Sequence, residues 1–387
     1  MKAIRLCDIC DFQGGAQPPK NQWIDERREG YVRMLQIRDF TQIEKVKPEF
    51  VKISARVKMC KEDDILIARY GASVGKILTG LSGAYNVAIM KTIPDEKKIS
   101  KKYLFYFLSS EYFQKFIMNV GSRAAQAGFN KDDLQNVMLI ERTLEEQQVT
   151  CKVLDKITEL ITNRKTELRL LDKCVKSRFV ELFGQPDRNP FGWDVYAIGT
   201  LVSSCDAGWS GNGTQRKKKA GEVAVLKVSA VTKGYFVPSE SKVLDNQDYI
   251  KKYVFPQAGD LLFSRANTRE MVGATAVITR DYPEHILPDK LWKIRFVDAA
   301  NVWYMKYVLS YESIRSIFSS VSTGTSGSMF NVSMKKFKSI KIPLPPIELQ
   351  EQFAAFVEQV DKSKLAVQKS LDELETLKKS LMQQYFG

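Results

Sequence analysis

The sequence predicts an α/β (α+β) chain built twice over. Two globular regions of short strands and helices are each followed by a long helix, and the two long helices pair antiparallel as an intramolecular coiled coil. Three observations lead there. Thr143–Gly184 superposes without a gap on Pro346–Gly387 at a constant shift of 203 positions. Glu145 then meets Glu348, Gln147 meets Gln350, Leu171 meets Leu374, and Phe183-Gly184 meets Phe386-Gly387. Both stretches carry an apolar stripe at helical spacing, and both follow a mixed region whose apolar runs are too short for long helices.

Residues 1–142 are the first globular region, with β-like runs at Val32–Ile37, Asp64–Ala68 and Tyr85–Lys91 and a helical stretch at Lys101–Val120. Residues 143–184 are the first long helix. Val149, Val153, Ile157, Ile161, Leu168, Leu171, Val175 and Leu182 recur mostly three and four apart, with charges between them. At about 1.5 Å per residue it runs roughly 60 Å, more than one small domain can cover. Gly184 stops it, and Gln185-Pro-Asp-Arg-Asn-Pro-Phe-Gly192 is a turn-rich linker. Linker and second globular region together occupy 185–342. Pro343-Leu-Pro-Pro346 breaks the chain again, and 343–387 holds the second long helix, 347–386. Its stripe is Phe353, Val357, Val360, Val367, Leu371, Leu374, Leu381 and Tyr385. A helix with one apolar seam is unstable alone in water, and pairing buries both seams. Lys364 in the second seam, and Arg164 opposite Val367 by the repeat, mark the heptads as loose.

The repeat continues more weakly into the globular regions. Ala3-Ile4 aligns with Ala197-Ile198, Leu35-Gln-Ile37 with Leu226-Lys-Val228, and Asp64–Arg69 with Asp260–Arg265. Val74-Gly75 aligns with Val272-Gly273, and Phe129-Asn130 with Phe330-Asn331. The long helices are therefore the common scaffold, and the globular regions are the parts allowed to differ.

The charge balance points to the partner. Lys and Arg number 59 against 45 Asp and Glu, a net charge of +14, which favours a polyanion, nucleic acid ahead of membrane. No apolar run approaches the roughly 18 residues of a spanning helix. Met1-Lys-Ala-Ile-Arg-Leu6 lacks the shape of a signal peptide, so a cytoplasmic protein is expected. The six cysteines are scattered, as free thiols in a reducing compartment are, and Cys7-Asp-Ile-Cys10 has no second pair with which to hold zinc. No metal site is expected. The single histidine, His285, lies between Pro283 and Pro288 and reads as a surface-loop residue.

These facts remove most catalytic chemistry, and no catalytic residue is assigned. One histidine leaves little room for a Ser-His-Asp triad. An adenine methyltransferase needs Asn/Asp-Pro-Pro-aromatic, and Asn189-Pro190-Phe191 lacks the second proline. A nucleotide-binding glycine loop and GxxxxGK[ST] are both missing. Pro-Asp dipeptides at 94–95, 186–187 and 288–289 are not followed by a convincing nuclease Asp/Glu-x-Lys.

The order of parts resembles the specificity subunits of type I restriction-modification systems. Ile342-Pro-Leu-Pro-Pro-Ile-Glu348-Leu-Gln350-Glu-Gln352 looks like that family's approach to its conserved helix. In the first half it is reduced to Ile140-Glu-Arg-Thr-Leu-Glu145-Glu-Gln147-Gln148, without prolines. Gly14-Gly-Ala-Gln-Pro-Pro-Lys20 and Asp63–Arg69 look like parts of its target recognition domains. The resemblance implies a non-catalytic subunit that reads a split sequence in double-stranded DNA, one half per globular region, with the helix pair fixing the spacer. It implies two methyltransferase subunits along the helices and two motor-nuclease subunits in the full complex. No cofactor is then held by this chain: S-adenosylmethionine, ATP and Mg belong to the partner subunits, which methylate adenine or cleave unmodified DNA. The competing class is a coiled-coil interaction scaffold with a basic surface; a stand-alone enzyme is the third.

Candidate DNA-contacting residues are arginines able to grip guanine, amides able to grip adenine, and cations and small polar groups suited to phosphate. In the first region these are Gln17, Lys20, Arg38, Arg69, Tyr70, Ser73, Arg123, Gln126 and Asn130. In the second they are Ser229, Arg265, Asn267, Thr268, Arg269, Lys290, Ser326 and Asn331, with the run Arg216, Lys217, Lys218, Lys219 as a phosphate clamp. The repeat sets Arg69 against Arg265 and Asn130 against Asn331, and these four lead. Each also has a plainer reading: Arg69 as a surface ion pair, the two asparagines as helix caps, and Arg216–Lys219 as a solvated loop.

Overall fold

The computed structural model describes residues 2–121, 128–326 and 329–387. Two compact units emerge, Met1–Lys165 with Gln368–Gly387, and Thr166–Val367. Among the described residues no helix is long and apolar enough to cross a membrane.

The first unit is built on a four-stranded antiparallel sheet in the order Cys10–Gly14, Ile89–Pro94, Leu66–Ala68, Ile77–Leu78. Side chains alternate between its faces. Ile65, Ile67 and Met90 point to the helices Lys101–Leu108 and Glu111–Gly121, where Leu104, Phe107, Phe113 and Ile117 are buried. Leu66, Ala68 and Ile89 point the other way, to Leu35 and Tyr85 of a second sheet. With both faces covered, Ile65–Ala68 is apolar throughout instead of alternating. The second sheet runs Phe50–Lys52, Tyr31–Leu35, Gly83–Tyr85, Met59–Cys60, with its central pair parallel.

The second unit has the same plan. Its first sheet is Val202–Ala207, Leu291–Phe296, Leu261–Ser264, Thr275–Val277, and its helices are Val302–Ser310 and Glu312–Val321. The second sheet is Gly213–Thr214, Ser241–Leu244, Ala224–Leu226, His285–Ile286. Asp64 and Asp260 show how closely the plans agree. Each is buried, accepts a backbone N–H three residues back (Lys61, 2.8 Å; Gln257, 2.6 Å), and pairs with a lysine of the neighbouring strand (Lys91, 2.5 Å; Lys293, 3.2 Å).

Pairing corrects the weaker ends of the sequence repeat. Ala3–Arg5 pairs with Met138–Ile140, and Val195–Ala197 with Lys341–Pro343, so that Ala3 faces Ile140 and Val195 faces Pro343. Ala3-Ile4 therefore corresponds to Val195-Tyr196, not to Ala197-Ile198. Likewise the Arg69 carbonyl accepts from Phe129 N–H (3.3 Å) while the Arg265 carbonyl accepts from Val332 N–H (2.9 Å). Phe129-Asn130 thus corresponds to Val332-Ser333, two residues past Phe330-Asn331. Similarity of residue type had drawn both alignments out of register.

Three further expectations change. Tyr85–Lys91 is two strands, because Asn86 accepts from Ala88 N–H (3.2 Å) and turns the chain between them. Lys101–Val120 is two helices, broken at Ser109-Ser110, where Ser109 Oγ donates back to the Phe105 carbonyl (2.7 Å). His285 is a buried strand residue, paired beside Ala224 and packed on Tyr282, and burial holds its imidazole below its usual pKa. The flanking prolines bound a strand and not an exposed loop.

The long helices are Leu144–Phe183 and Ile347–Phe386. Where the second helix starts behind prolines, the first starts with a capping box: Glu146 N–H donates to Thr143 Oγ1 (3.2 Å) and Thr143 N–H to Glu146 Oε2 (2.8 Å). Within the second unit, Val175, Phe179 and Phe183 from the end of the first helix pack on Phe353, Val357 and Val360 from the start of the second. Within the first unit, Cys151 and Leu154 share a core with Phe386. The helices therefore run antiparallel. Lys364 in the seam is neutralised by Asp172 (2.6 Å), and Lys165 reaches Glu375 (2.7 Å). The seam departs from expectation at its start: Val149 is 61% exposed, and Cys151 and Leu154 are buried instead. Leu374 is only half-buried, whereas Leu371 is buried.

Candidate nucleic-acid interface

In each unit, backbone hydrogen bonds gather several loops at one end of the first sheet. In the first unit, Gly15 N–H donates to Ile89 (3.0 Å), Ala16 to Tyr85 (3.1 Å), Arg69 to Ala88 (2.8 Å), and Asn86 to Leu35 (3.1 Å). This places the segment from Gly15 to Lys20, the turn from Arg69 to Gly75, residues 86–88, the helix Ile37–Thr41 and residues 128–130 side by side. Glycine is required at the first of these, because a Cβ on Gly15 would overlap the Tyr85 and Asn86 carbonyl oxygens. The second unit repeats the arrangement: Trp209 N–H donates to Leu287 (3.0 Å), Arg265 to Lys290 (3.1 Å), and Gly208 is as tightly seated against the Leu287 carbonyl.

Arg69 and Arg265 stand at the centre of the two clusters. Arg69 Nε donates to the Phe129 carbonyl (3.1 Å), and Arg265 Nε to the Asp289 carbonyl (2.8 Å). Each guanidinium is thus fixed through Nε while its two terminal amino groups form a fork. That fork is what a guanine O6/N7 edge accepts. Among the described residues Arg69 makes no salt bridge, whereas the fork of Arg265 lies 3.6 Å from Asp289 Oδ2. The Arg69 guanidinium also leans over the Tyr70 ring (5.0 Å).

Of the other candidates in the first unit, Gln17 is exposed and Ser73 half-buried. Lys20 and Arg38 converge on Glu49, Lys20 by a close ion pair and Arg38 at 2.7 Å, while Lys20 also sits over the Trp23 ring (3.8 Å). Burial alone would raise the Glu49 carboxyl; the two cations overcome it and hold the group below its usual range. Asn130 accepts from Asp132 and Asp133 N–H (2.8 and 3.2 Å) and so caps the turn that follows. Arg123 and Gln126 lie outside the described residues.

In the second unit Asn267 donates to Ser264 Oγ (3.2 Å) and accepts from Thr268 N–H (2.9 Å). Arg269 covers the Phe330 ring (5.0 Å), and Asn331 pairs beside Ala266 in a small sheet with Thr323–Ser326. Ser326 belongs to that sheet by its backbone. Lys290 is half-buried, and Ser229 donates to Glu240 (2.6 Å). The run Arg216–Lys219 is exposed, but Arg216 is already a fork on Glu222 (2.7 and 2.8 Å), which with the Lys219 N–H brings that carboxyl down to about 2. Lys217, Lys218 and Lys219 are exposed, and among the described residues none of their ammonium groups makes a salt bridge. Ser333, not Asn331, caps the helix Met334–Ser339.

Sequence reasoning overlooked the carboxylates that lie beside these cations, Glu49, Glu222 and Asp289. It noticed Pro288-Asp289 only as a nuclease dipeptide. Among the described residues no group of three or more His, Cys, Asp or Glu could hold a metal ion. Burial pushes the Cys10 thiol up to about 12.

The comparisons with known proteins agree with this architecture. A family model, the type I restriction modification DNA specificity domain, matches residues 1–170 and again 190–376. The chain is 24% identical to the type I restriction enzyme MjaVIII specificity subunit of Methanocaldococcus jannaschii, covering 98% of this chain and 91% of that one. It is 22% identical to the EcoKI specificity subunit of Escherichia coli K12, over 96% and 85%. Among solved structures, the S subunit of a type I restriction-modification system from M. genitalium superposes with a TM-score of 0.58 at 13% identity, over 100% and 96% of the two chains. Two matches of one specificity domain, falling on the two halves of a chain that folds the same way twice, make this protein a member of the type I restriction-modification DNA specificity family.

Proposed function

We propose that each unit reads one half of a split DNA sequence with the sheet-end cluster around its arginine, Arg69 in one and Arg265 in the other. The carrying observation is the pair of guanidinium forks, each fixed through Nε to a backbone carbonyl, on a chain of net charge +14. Gln17, Tyr70, Ser73 and Asn130 flank the first fork; Asn267, Thr268, Arg269 and Asn331 flank the second. Lys20, Arg38, Lys217, Lys218 and Lys290 supply phosphate contacts.

In this reading the chain performs no chemistry. Its helix pair carries two adenine methyltransferase subunits, and two motor-nuclease subunits join the full complex. S-adenosylmethionine, ATP and Mg act on those partners. The M. jannaschii and E. coli relatives are named as specificity subunits of type I restriction enzymes, which supports the assignment.

Methylome sequencing of cells carrying the chain with its cognate methyltransferase tests it. A split adenine-methylated motif is expected. Arg69→Ala should relax one position in one half and Arg265→Ala one position in the other, each weakening recognition by about 1–3 kcal/mol. A motif indifferent to both substitutions removes the forks from the readout. Exchange of residues 1–142 for the matching region of a relative should change one half only.

A further inference from the structure

Position 289 and its counterpart in the first unit differ in a way that the arginines do not explain. Arg69 takes the Ala88 carbonyl as its backbone partner and Arg265 takes that of Lys290, so the residue before each, Val87 and Asp289, occupies the same place in the two clusters. Both are open to solvent at the sheet end: Val87 is 47% exposed and the Asp289 side chain 46%.

The Asp289 carboxylate is not needed to hold Arg265. Arg265 Nε binds the main-chain carbonyl of residue 289, which any side chain would leave in place, and the carboxylate is 3.6 Å from the fork. Arg69 Nε is also held by a backbone carbonyl, that of Phe129 and not that of Val87, and among the described residues no carboxylate pairs with it. Instead, Asp289 is itself held in position. Ser210 donates to Oδ1, and the Asp289 N–H donates back to Ser210 Oγ (3.2 Å). A carboxylate has about four acceptor sites, and Ser210 uses one. The remainder form an oriented, solvent-facing acceptor beside a guanine-type fork. Such a group is repelled by phosphate and suits an exocyclic amino group in the major groove, with cytosine N4 the usual partner.

We infer that residue 289 is a specificity-determining position. Asp289 accepts a hydrogen bond from a base amino group next to the base read by Arg265, and Val87 replaces that demand in the first unit with an apolar contact suited to a thymine methyl. The inference rests on the sheet ends being the DNA readers.

The test is a reciprocal exchange, Asp289→Val and Val87→Asp, in the full chain co-expressed with its cognate methyltransferase and read by methylome sequencing. Asp289→Val should lower discrimination for an amino-bearing base roughly 5- to 150-fold at one position of one half-sequence, with its other positions kept. Cytosine or adenine at that position in the parent motif identifies the donor. Val87→Asp, at an exposed site where folding is not at stake, should create such a preference in the other half. The inference is overturned if Asp289→Val keeps every position, if it weakens all positions of its half together, or if Val87→Asp leaves the motif as it was. A parent chain that yields no split motif overturns the DNA reading itself, which keeps the two failures apart.

Discussion

Gln147 and Gln350 make the same hydrogen bonds at the same place in the two units. Oε1 accepts the N–H that opens or precedes a helix, Ser100 for Gln147 and Asn301 for Gln350, each at 2.9 Å. Nε2 donates to Lys98 and Arg142 carbonyls in one unit (2.7 and 3.0 Å) and to Ala299 and Pro345 carbonyls in the other (3.1 and 2.7 Å). Both glutamines are buried. Each is a staple between a long helix and the turn leading into the helices behind its sheet.

Replacing Gln350 by leucine keeps the volume and strands buried backbone groups. Each group left without a partner costs about 1–3 kcal/mol, so the denaturation midpoint should fall clearly, and Gln147→Leu should do the same. A midpoint unmoved by either change excludes the staple.

Asp64 gives a pH signature. Burial would raise its carboxyl, but the Lys61 N–H and Lys91 overcome that and hold it below its ordinary value. A carboxyl depressed in the folded state contributes stability in full above its unfolded pKa, about 3.9, and loses it as the pH falls through the folded value. The melting temperature of the parent should therefore exceed that of Asp64→Asn at neutral pH, and the two should converge below about pH 4. Curves that run parallel into acid count against the pair.

The aromatic junction of the helices in the second unit should dominate scaffold stability. Phe179 is buried among Tyr304, Phe183 and Phe353, with ring centroids 5.1–5.8 Å away. Phe179→Ala should cost about 3–5 kcal/mol. Leu374→Ala, at a half-buried site, should cost clearly less, and chemical denaturation of both variants orders them.

Gly208→Ala separates geometry from charge. The added methyl overlaps the Leu287 carbonyl oxygen, so the segment carrying Trp209 and Ser210 must shift. Sequence preference in one half should degrade while the other half keeps its motif. Equal damage to both halves would deny the independence of the two clusters.

Much of this is legible in the sequence. The 203-position repeat located both long helices to within a residue, because an amphipathic stripe without interruption has one physical solution. Asp64–Arg69 and Asp260–Arg265 also kept their register, since a buried aspartate and a closing arginine bracket the same strand. What escaped was masked or depended on long-range pairing. Val332-Ser333 as the partner of Phe129-Asn130 lies on the same 203-position shift as the long helices and is masked by the Phe-Asn match at 330–331, whereas burial of His285 is decided by a strand distant in sequence. The carboxylates beside the candidate cations escaped for the same reason: Glu49 and Asp289 meet their arginines only once the sheets form.

The short pairings of Ala3–Arg5 with Met138–Ile140 and of Val195–Ala197 with Lys341–Pro343 have a consequence for inheritance. Each globular region begins and ends at adjacent, hydrogen-bonded residues, so it is attached like a plug on two pins. On the proposed reading, crossovers at these two seams would exchange an entire globular region and leave the long helices intact. One such exchange would then change a recognised half-sequence in a single event, without passing through intermediates that bind nothing.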